Sequence, residues 1–280
     1  SNSFCTLLGN ARPAMPYDSQ TNTFSPDGRL YQVEYAVESV GKAPTALGIV
    51  TSEGVIFAAE RRQRTALLDV ERPELRNFSG EKVYKVAEHI AVAVAGMTAD
   101  ANHLIDASRR IAQRHTYTFG EPLPAEDLCQ RLCDEKQSVT MSGGLRPYGI
   151  AFLIAAWDRH HGFQLYQTDP SGNYHAWKAY AIGQNDGTAQ SMLKNDWKDS
   201  MTARDGVLLA LKVLGKTMDT LTLNPERLEV AVLSRKKGEK PAFTIFTDAE
   251  LAPYIADAES LRKKEEEEKE AARKARSGKD

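Results

Sequence analysis

The chain has 280 residues, of which 41% are hydrophobic, so it can bury a substantial core, and its length fits one large domain better than two small ones. The formal net charge is −2, which offers no general attraction for a polyanion, so we expect no nucleic-acid partner. The sequence has no run of about 18 consecutive apolar residues, and we therefore expect no membrane-spanning helix and no membrane partner.

The three cysteines, Cys5, Cys129 and Cys133, are an odd number without disulfide or zinc-binding spacing, which is typical of a reducing compartment. Cys129 and Cys133 would share one helix face, but a metal would need further ligands that no neighbouring histidine or cysteine supplies. We therefore predict no metal site and no cofactor. The N-terminus lacks a basic segment followed by an apolar core, so we expect no secretion signal.

The N-terminal part of the chain is predicted to be a tail followed by a helix. Residues 1–23 are polar and without hydrophobic period, which predicts an extended tail, and Ser25-Pro26-Asp27-Gly28 predicts a turn. Hydrophobic residues then recur at steps of three and four from Leu30 to Val40, which predicts an amphipathic helix that ends at Gly41.

The rest of the folded region alternates groups of strands with pairs of helices. The predicted strands are 45–50, 55–61, 83–86, 90–97, 148–157, 163–168, 176–182, 228–234 and 242–246, and the predicted helices are 100–115, 125–140, 186–198 and 203–218. Helix pairs inserted between groups of antiparallel strands predict two packed sheets with helices covering both outer faces. We therefore expect an α+β fold, a four-layer αββα sandwich, over residues 24–250.

Residues 251–280 are predicted to be a charged tail that is either helical or disordered. From Asp257 onward the composition is dominated by Lys, Arg, Glu and Ala, with charges of both signs at helical spacing and almost no apolar stripe. This pattern favours a solvated helix that frays, and a dedicated docking element is the alternative.

One segment near the N-terminus carries a specific resemblance. Residues 24–36, with the sequence FSPDGRLYQVEYA, resemble the N-terminal signature of the α-type subunits of the 20S proteasome. The similarity continues through 45–48, 81–83, 143–149 and 162–183, so that it covers about residues 17–250. Within that family, residues 162–178 are most similar to the α subunit in the third position of the ring.

The resemblance implies a fold, a set of partners and a role. The fold is the sandwich of the N-terminal nucleophile (Ntn) hydrolases, which matches the element order above. The implied partners are the other α subunits of a seven-membered ring, the β-ring subunits that hold the proteolytic sites, and proteasome activators or the regulatory particle. The implied role is that of a non-catalytic subunit of a threonine-type endopeptidase complex, which acts in ubiquitin-dependent and other proteasomal degradation in the cytoplasm and nucleus.

Thr45 is where catalytic relatives expose an N-terminal threonine whose α-amine serves as the general base. Here Pro44 precedes it, and without cleavage Thr45 has only an amide nitrogen, which cannot take a proton from the hydroxyl. Glu60 stands where active relatives carry an aspartate, and Lys82 matches their catalytic lysine. We predict no catalytic residue; the alternative is an active N-terminal-threonine hydrolase that uses Thr45.

Four residues match the cluster that braces the α-subunit tails when the axial pore opens: Tyr17, Asp18, Pro26 and Tyr35. Proline fixes φ in the turn, and the tyrosines offer flat apolar surface and hydroxyls to the Asp18 carboxylate. The resemblance thus makes residues 1–23 a gating tail, although Ser19 replaces the arginine usual after that Tyr-Asp pair. The alternative is an ordinary turn before a helix, with two packed aromatic side chains.

Lys82 also matches the lysine that, in α subunits, receives the C-terminal carboxylate of activator tails in a groove between neighbours. A charge-assisted hydrogen bond of this kind contributes about 1.5–3 kcal/mol, and several tails bind one ring. The alternative is a surface lysine that pairs with Glu81 or Glu88.

Overall fold

The computed structural model describes residues 23–61, 82–218, 223–236 and 238–277. In chain order the elements are α1 (Tyr31–Gly41), β1 (Ala46–Val50), β2 (Gly54–Glu60), β3 (Val83–Ala87), β4 (Ile90–Gly96), α2 (Thr98–Phe119), α3 (Ala125–Met141), β5 (Ile150–Asp158), β6 (Gly162–Thr168), β7 (Tyr174–Trp177), β8 (Ala179–Ile182), α4 (Asp186–Asp196), α5 (Ala203–Thr217), a 3₁₀ turn (Pro225–Arg227), β9 (Leu228–Ser234), β10 (Ala242–Ile245) and α6 (Asp248–Ser277).

The strands form two antiparallel sheets of five strands each, in the orders β10-β9-β2-β1-β8 (the first sheet) and β3-β4-β5-β6-β7 (the second sheet). The sheets pack face to face over a shared apolar core that includes Phe57, Leu153, Leu165 and Leu233. They approach closely at Gly48, where a Cβ atom would lie 2.8 Å from a methyl carbon of Leu165. Glycine is therefore required at the point where β1 crosses the second sheet.

Helices cover both outer faces of the sandwich. Leu104 of α2 and Leu128 of α3 are fully buried on the second sheet, while Leu211 of α5 and Leu251 of α6 are buried on the first. The helix period predicts this arrangement because each helix buries one apolar stripe against a sheet. The αββα sandwich is confirmed.

The prediction of a single strand over residues 176–182 is wrong. The apolar run 176–182 forms two short strands, and the chain leaves one sheet for the other between them. β7 pairs with β6 in the second sheet, whereas β8 pairs with β1 in the first, and the carbonyl of Lys178 between them accepts a bond from the Val50 amide at 2.8 Å. A hydrophobic run records burial but not the sheet to which each half belongs, so the change of sheet was not predicted.

The C-terminal helix α6 crosses the predicted domain boundary between residues 250 and 251. It begins with a capping box in which Thr247 and Glu250 exchange bonds between side chain and backbone. Leu251 and Ile255 are buried against the first sheet, and the helix continues to Ser277. Among the described residues, the search for helices long and apolar enough to cross a membrane finds none.

Candidate functional site

Thr45 lies immediately before β1 and is 1% exposed. Its nitrogen forms the peptide bond with Pro44, and its hydroxyl donates to the Gln184 carbonyl at 2.6 Å. An amide nitrogen cannot act as the general base for this hydroxyl. In this geometry Thr45 is a buried structural residue that links β1 to the segment after β8.

Lys82 lies directly before β3 and is 8% exposed, so it is a buried lysine. Its ammonium group donates to the Pro44 carbonyl and to the Thr45 carbonyl, the latter at 3.4 Å. Glu88, which the sequence offered as a surface partner, pairs with Lys85 at 2.8 Å, and Glu81 lies outside the described residues. The structure thus brings Lys82 against the chain segment that contains Thr45.

Glu229 on β9 holds the backbone of this site. It is fully buried, and its two carboxylate oxygens accept from the amides of Lys82 and Val83 at 3.1 and 3.2 Å. The Nε of Arg61 donates to the same carboxylate at 3.4 Å. We call Arg61, Lys82 and Glu229 the clamp.

Glu60, the last residue of β2, stands beside Thr45. Its amide donates to the Thr45 carbonyl at 2.9 Å, and its carboxylate accepts from Arg227 at 3.0 Å. A carboxylate engaged by a guanidinium is held in place by that charge-assisted bond. Thr45, Glu60 and Lys82 therefore meet at one end of the first sheet.

Of the four predicted gate-bracing residues, Pro26 and Tyr35 lie in the described part of the chain, and Tyr17 and Asp18 lie outside it. Pro26 is exposed in a turn closed by the bond from the Gly28 amide to the Ser25 carbonyl at 2.9 Å. Gly28 has a φ of +74°, which favours glycine.

Tyr35 lies in the second turn of α1. It is 45% exposed and stacks on Tyr31 with 6.5 Å between ring centroids. The entry to α1 is further held by a two-bond ion pair of Arg29 with Glu34, at 2.5 and 2.8 Å. The turn and the start of α1 are thus held in a defined relative direction.

Sequence reasoning missed Glu229. The signal was present, because Glu229 is the one acidic residue in the apolar strand sequence LEVAVLS, where an unpaired charge would be costly. Its partners could not be found from the sequence, since the amide of Lys82 lies 147 residues away.

Lys136 was also missed. It is 0% exposed, although it falls on the apolar stripe of α3 with Leu132 and Cys129. Its ammonium group donates to the Thr168 hydroxyl at 2.8 Å and the Ile150 carbonyl at 3.1 Å. Burial lowers the pKa of Lys136 to about 8.

Cys129 and Cys133, the two cysteines that share a face of α3, are buried free thiols. Burial raises the pKa of the Cys133 thiol to about 11, which disfavours the thiolate that a metal would need. In the ranges that the structure describes, no cluster of three or more His, Cys, Asp or Glu side chains suits a metal ion.

Comparison with known proteins identifies two matching families. The N-terminal signature of A-type proteasome subunits matches residues 17–38, and the family described as "Proteasome subunit" matches residues 40–233. The first range contains all four predicted gate-bracing residues, and the second contains Thr45, Lys82 and Glu229.

Several plant proteins are similar over most of the chain. The alpha type-4 proteasome subunit of Spinacia oleracea is 54% identical over 242 residues, which are 86% of this chain and 94% of that protein. The alpha type-4-A proteasome subunit of Arabidopsis thaliana is 54% identical over 77% of this chain and 84% of its own length. The alpha type-4-1 proteasome subunit of Oryza sativa subsp. indica is 52% identical over 79% and 86%. Residues 162–178 resemble the third-position α subunit, which is the type named alpha type-4. The family model covers more than half of the chain and these relatives are more than 50% identical, so the chain belongs to the proteasome subunit family, as an alpha-type member similar to alpha type-4.

Proposed function

We propose that the chain is a non-catalytic α-ring subunit of the 20S proteasome core particle. The observation that carries the proposal is the environment of Thr45: the segment before it belongs to the fold, with Val40 and Ala43 buried in the shared core, and its hydroxyl donates to the Gln184 carbonyl. The side chain that would play the part of the catalytic lysine, Lys82, donates instead to the Pro44 and Thr45 carbonyls. This arrangement supports a subunit that contributes shape, assembly surface and passage control to a particle whose proteolytic sites lie in other subunits.

Intact mass measurement of the subunit from native particles tests this role. We expect a chain that still contains residues before Thr45, and no adduct after treatment with a threonine-directed covalent inhibitor. The catalytic subunits of the same preparation are the positive control, because they must take up the inhibitor. A chain that begins at Thr45, or an adduct on its hydroxyl, would establish the hydrolase alternative.

Assembly in a seven-membered α ring, stacked on a β ring, is the second part of the proposal. The described N-terminal region is compatible with it, because Phe24, Tyr35 and Val37 leave large apolar side chains exposed that neighbouring subunits would cover. On a native gel the subunit should migrate entirely with a very large particle; a separate pool of free chain as the main species would contradict the proposal.

Gating is the third part. The turn at Pro26 and the helix that carries Tyr35 would direct the tail formed by residues 1–23 toward the axial pore. Particles assembled with a chain that starts at Met15 should hydrolyse small peptides faster than particles with the full chain, in the absence of activator. A C-terminal truncation after Ser277 provides a matched control, and unchanged basal hydrolysis by the N-terminal truncation would reject a gating role for residues 1–14.

Activator docking at Lys82 is the fourth part. The ammonium group already points at two carbonyls, and a C-terminal carboxylate that reached it would gain a charge-assisted bond. Lys82→Ala should weaken stimulation by an activator while particles still assemble. Lys42→Ala removes an exposed lysine that pairs with Glu38 and serves as the control. Normal stimulation of Lys82→Ala particles would exclude the docking role.

The cellular part of the proposal is action in the cytoplasm and nucleus in ubiquitin-dependent degradation. Depletion of the chain should raise the level of ubiquitin conjugates, and the tagged chain should be found in both compartments. Confinement to another organelle, or unchanged conjugates after depletion, would contradict this part.

A further inference from the structure

The clamp joins the two sheets at the edge where Lys82 lies. β3 is an edge strand of the second sheet, so on one side its backbone amides have no neighbouring strand among the described residues. Glu229 belongs to β9 in the first sheet, and its carboxylate accepts from two consecutive amides at the start of β3, those of Lys82 and Val83. One side chain of the first sheet thus replaces the missing strand partner of the second.

The opposite side of the same backbone is held by the sheet. The Lys82 carbonyl accepts from the Val94 amide at 2.9 Å, as the β3–β4 ladder begins. Lys82 is therefore fixed through its carbonyl by β4 and through its amide by Glu229. Removing the carboxylate would leave the amide side of this buried residue without its acceptor, and the backbone would have to move to find another.

Arg61 favours a carboxylate over an amide side chain at position 229. Its side chain is buried, its Nε donates to Glu229 at 3.4 Å, and its Nη1 lies 3.8 Å from the Asp248 carboxylate at the start of α6. A carboxylate can accept from two amides and a guanidinium at once, because every lone pair of its two oxygens is an acceptor. An amide side chain of the same shape has one acceptor oxygen, and its NH₂ group would meet donors.

We infer that Glu229 is a positioning residue for Lys82: its carboxylate sets the direction in which the ammonium group points, and thereby the strength with which the site holds a carboxylate. The inference rests on the activator-docking role proposed above. Glu229 is fully buried, and it supports Lys82 from within the fold by accepting from the backbone amides of residues 82 and 83. It assigns to β9 a part in the docking site that lies at the start of β3.

The test uses assembled particles and a synthetic peptide that carries the C-terminal residues of a proteasome activator, with a free carboxylate. The readout is the peptide concentration that gives half-maximal stimulation of fluorogenic substrate hydrolysis. Glu229→Gln should raise this concentration about fivefold and leave the maximal rate unchanged, because a displaced ammonium group weakens one charge-assisted bond. Glu226→Gln, an exposed glutamate three residues earlier, is the matched control and should match the wild type.

A double-variant cycle separates positioning from a general loss of stability. In the Lys82→Ala background, Glu229→Gln should add nothing to the half-maximal concentration, since it acts through Lys82. An amidated peptide should likewise show no difference between wild type and Glu229→Gln. Glu229→Asp keeps the charge but shortens its reach, so it should raise the half-maximal concentration by a smaller factor than Glu229→Gln. It replaces Glu229→Gln in the test if the glutamine variant fails to assemble.

The outcomes are distinguishable. If Lys82→Ala weakens stimulation and neither Glu229 variant does, the positioning inference is overturned and the docking function stands. If Glu229→Gln raises the half-maximal concentration equally with and without Lys82, Glu229 acts elsewhere and the inference is again overturned. If Lys82→Ala itself has no effect, the docking function fails and the inference fails with it.

Discussion

Lys82 and Lys136 are both buried, and both direct their ammonium groups at backbone carbonyls, yet their surroundings differ. Lys136 is 0% exposed; it donates to the Thr168 hydroxyl and the Ile150 carbonyl, and lies 4.9 Å from the centre of the Phe152 ring. It belongs to α3, and its side chain is buried between that helix and the second sheet. Lys82 is 8% exposed and sits at a sheet edge, where Glu229 grips its backbone.

The difference shows that burial of a lysine does not by itself indicate a functional site. At Lys136 the polar atoms that receive the ammonium group belong to the ends of β5 and β6, so the bonds tie α3 to its own sheet. At Lys82 the bonds join segments from three regions of the chain at one edge. We therefore regard Lys136 as a structural lysine and Lys82 as a candidate site.

The largest expected effect comes from emptying the Lys136 position. Lys136→Ala should lower the free energy of unfolding by about 3 kcal/mol, because it leaves a cavity under α3 and removes the donor to Thr168. Chemical denaturation of the purified chain measures this. Lys136→Met, which keeps most of the volume, should lose less, and the exposed control Lys42→Ala should change stability by less than about 0.5 kcal/mol. A loss at Lys136→Ala as small as the control's would show that this residue does not support the packing of α3.

The second effect is a pH dependence of stability. The folded pKa of Lys136 is about 8, below its ordinary value of 10.5, because burial disfavours the charged form. Between these two values the unfolded chain binds more protons, so this residue makes stability rise with pH, by on the order of 3 kcal/mol across the window.

Burial also raises the pKa of the Cys133 thiol to about 11, which makes stability fall above its ordinary value of 9.0. The contribution of Lys136 to the pH dependence must therefore be separated from that of Cys133 by comparing two proteins that differ only at position 136. The free energy of unfolding of the wild type minus that of Lys136→Met should rise from pH 8 to pH 10.5. A flat difference would mean that burial of the ammonium group carries no penalty.

A smaller effect is expected at the hydroxyl that receives the Lys136 ammonium group. Thr168→Val keeps the shape but removes the acceptor 2.8 Å from the nitrogen. The free energy of unfolding at pH 7 should fall by about 1–3 kcal/mol, and by less at pH 10.5, where the lysine is neutral. Equal losses at both pH values would show that the hydroxyl does not stabilise the charged form.

The smallest effect belongs to the candidate site. Thr45→Val removes the donor to the Gln184 carbonyl and should lower the free energy of unfolding by about 1 kcal/mol. Hydrolysis of each class of peptide substrate by assembled particles should stay unchanged, because Thr45 has no free amine. Selective loss of one hydrolytic activity would make Thr45 a catalytic residue and contradict its structural role.

Much of the architecture was predictable because local patterns carry it. The period of three and four residues from Leu30 to Val40 predicted α1, and the alternation of strand groups with helix pairs predicted two covered sheets. The same patterns could not predict the break at Lys178, because both halves of the run 176–182 are apolar enough for a strand and only pairing shows that they belong to different sheets.

Some features of the candidate site could likewise be predicted from the sequence, and others could not. The sequence by itself determined the proteasome family, the position of Thr45 within a continuous chain, and the presence of a lysine at position 82. Only the tertiary structure decided that Glu229, 147 residues from Lys82, holds that lysine's backbone. The physical reason is that periodicity records which side of an element is buried, whereas the partner of a buried polar group is fixed only when the two sheets pack together.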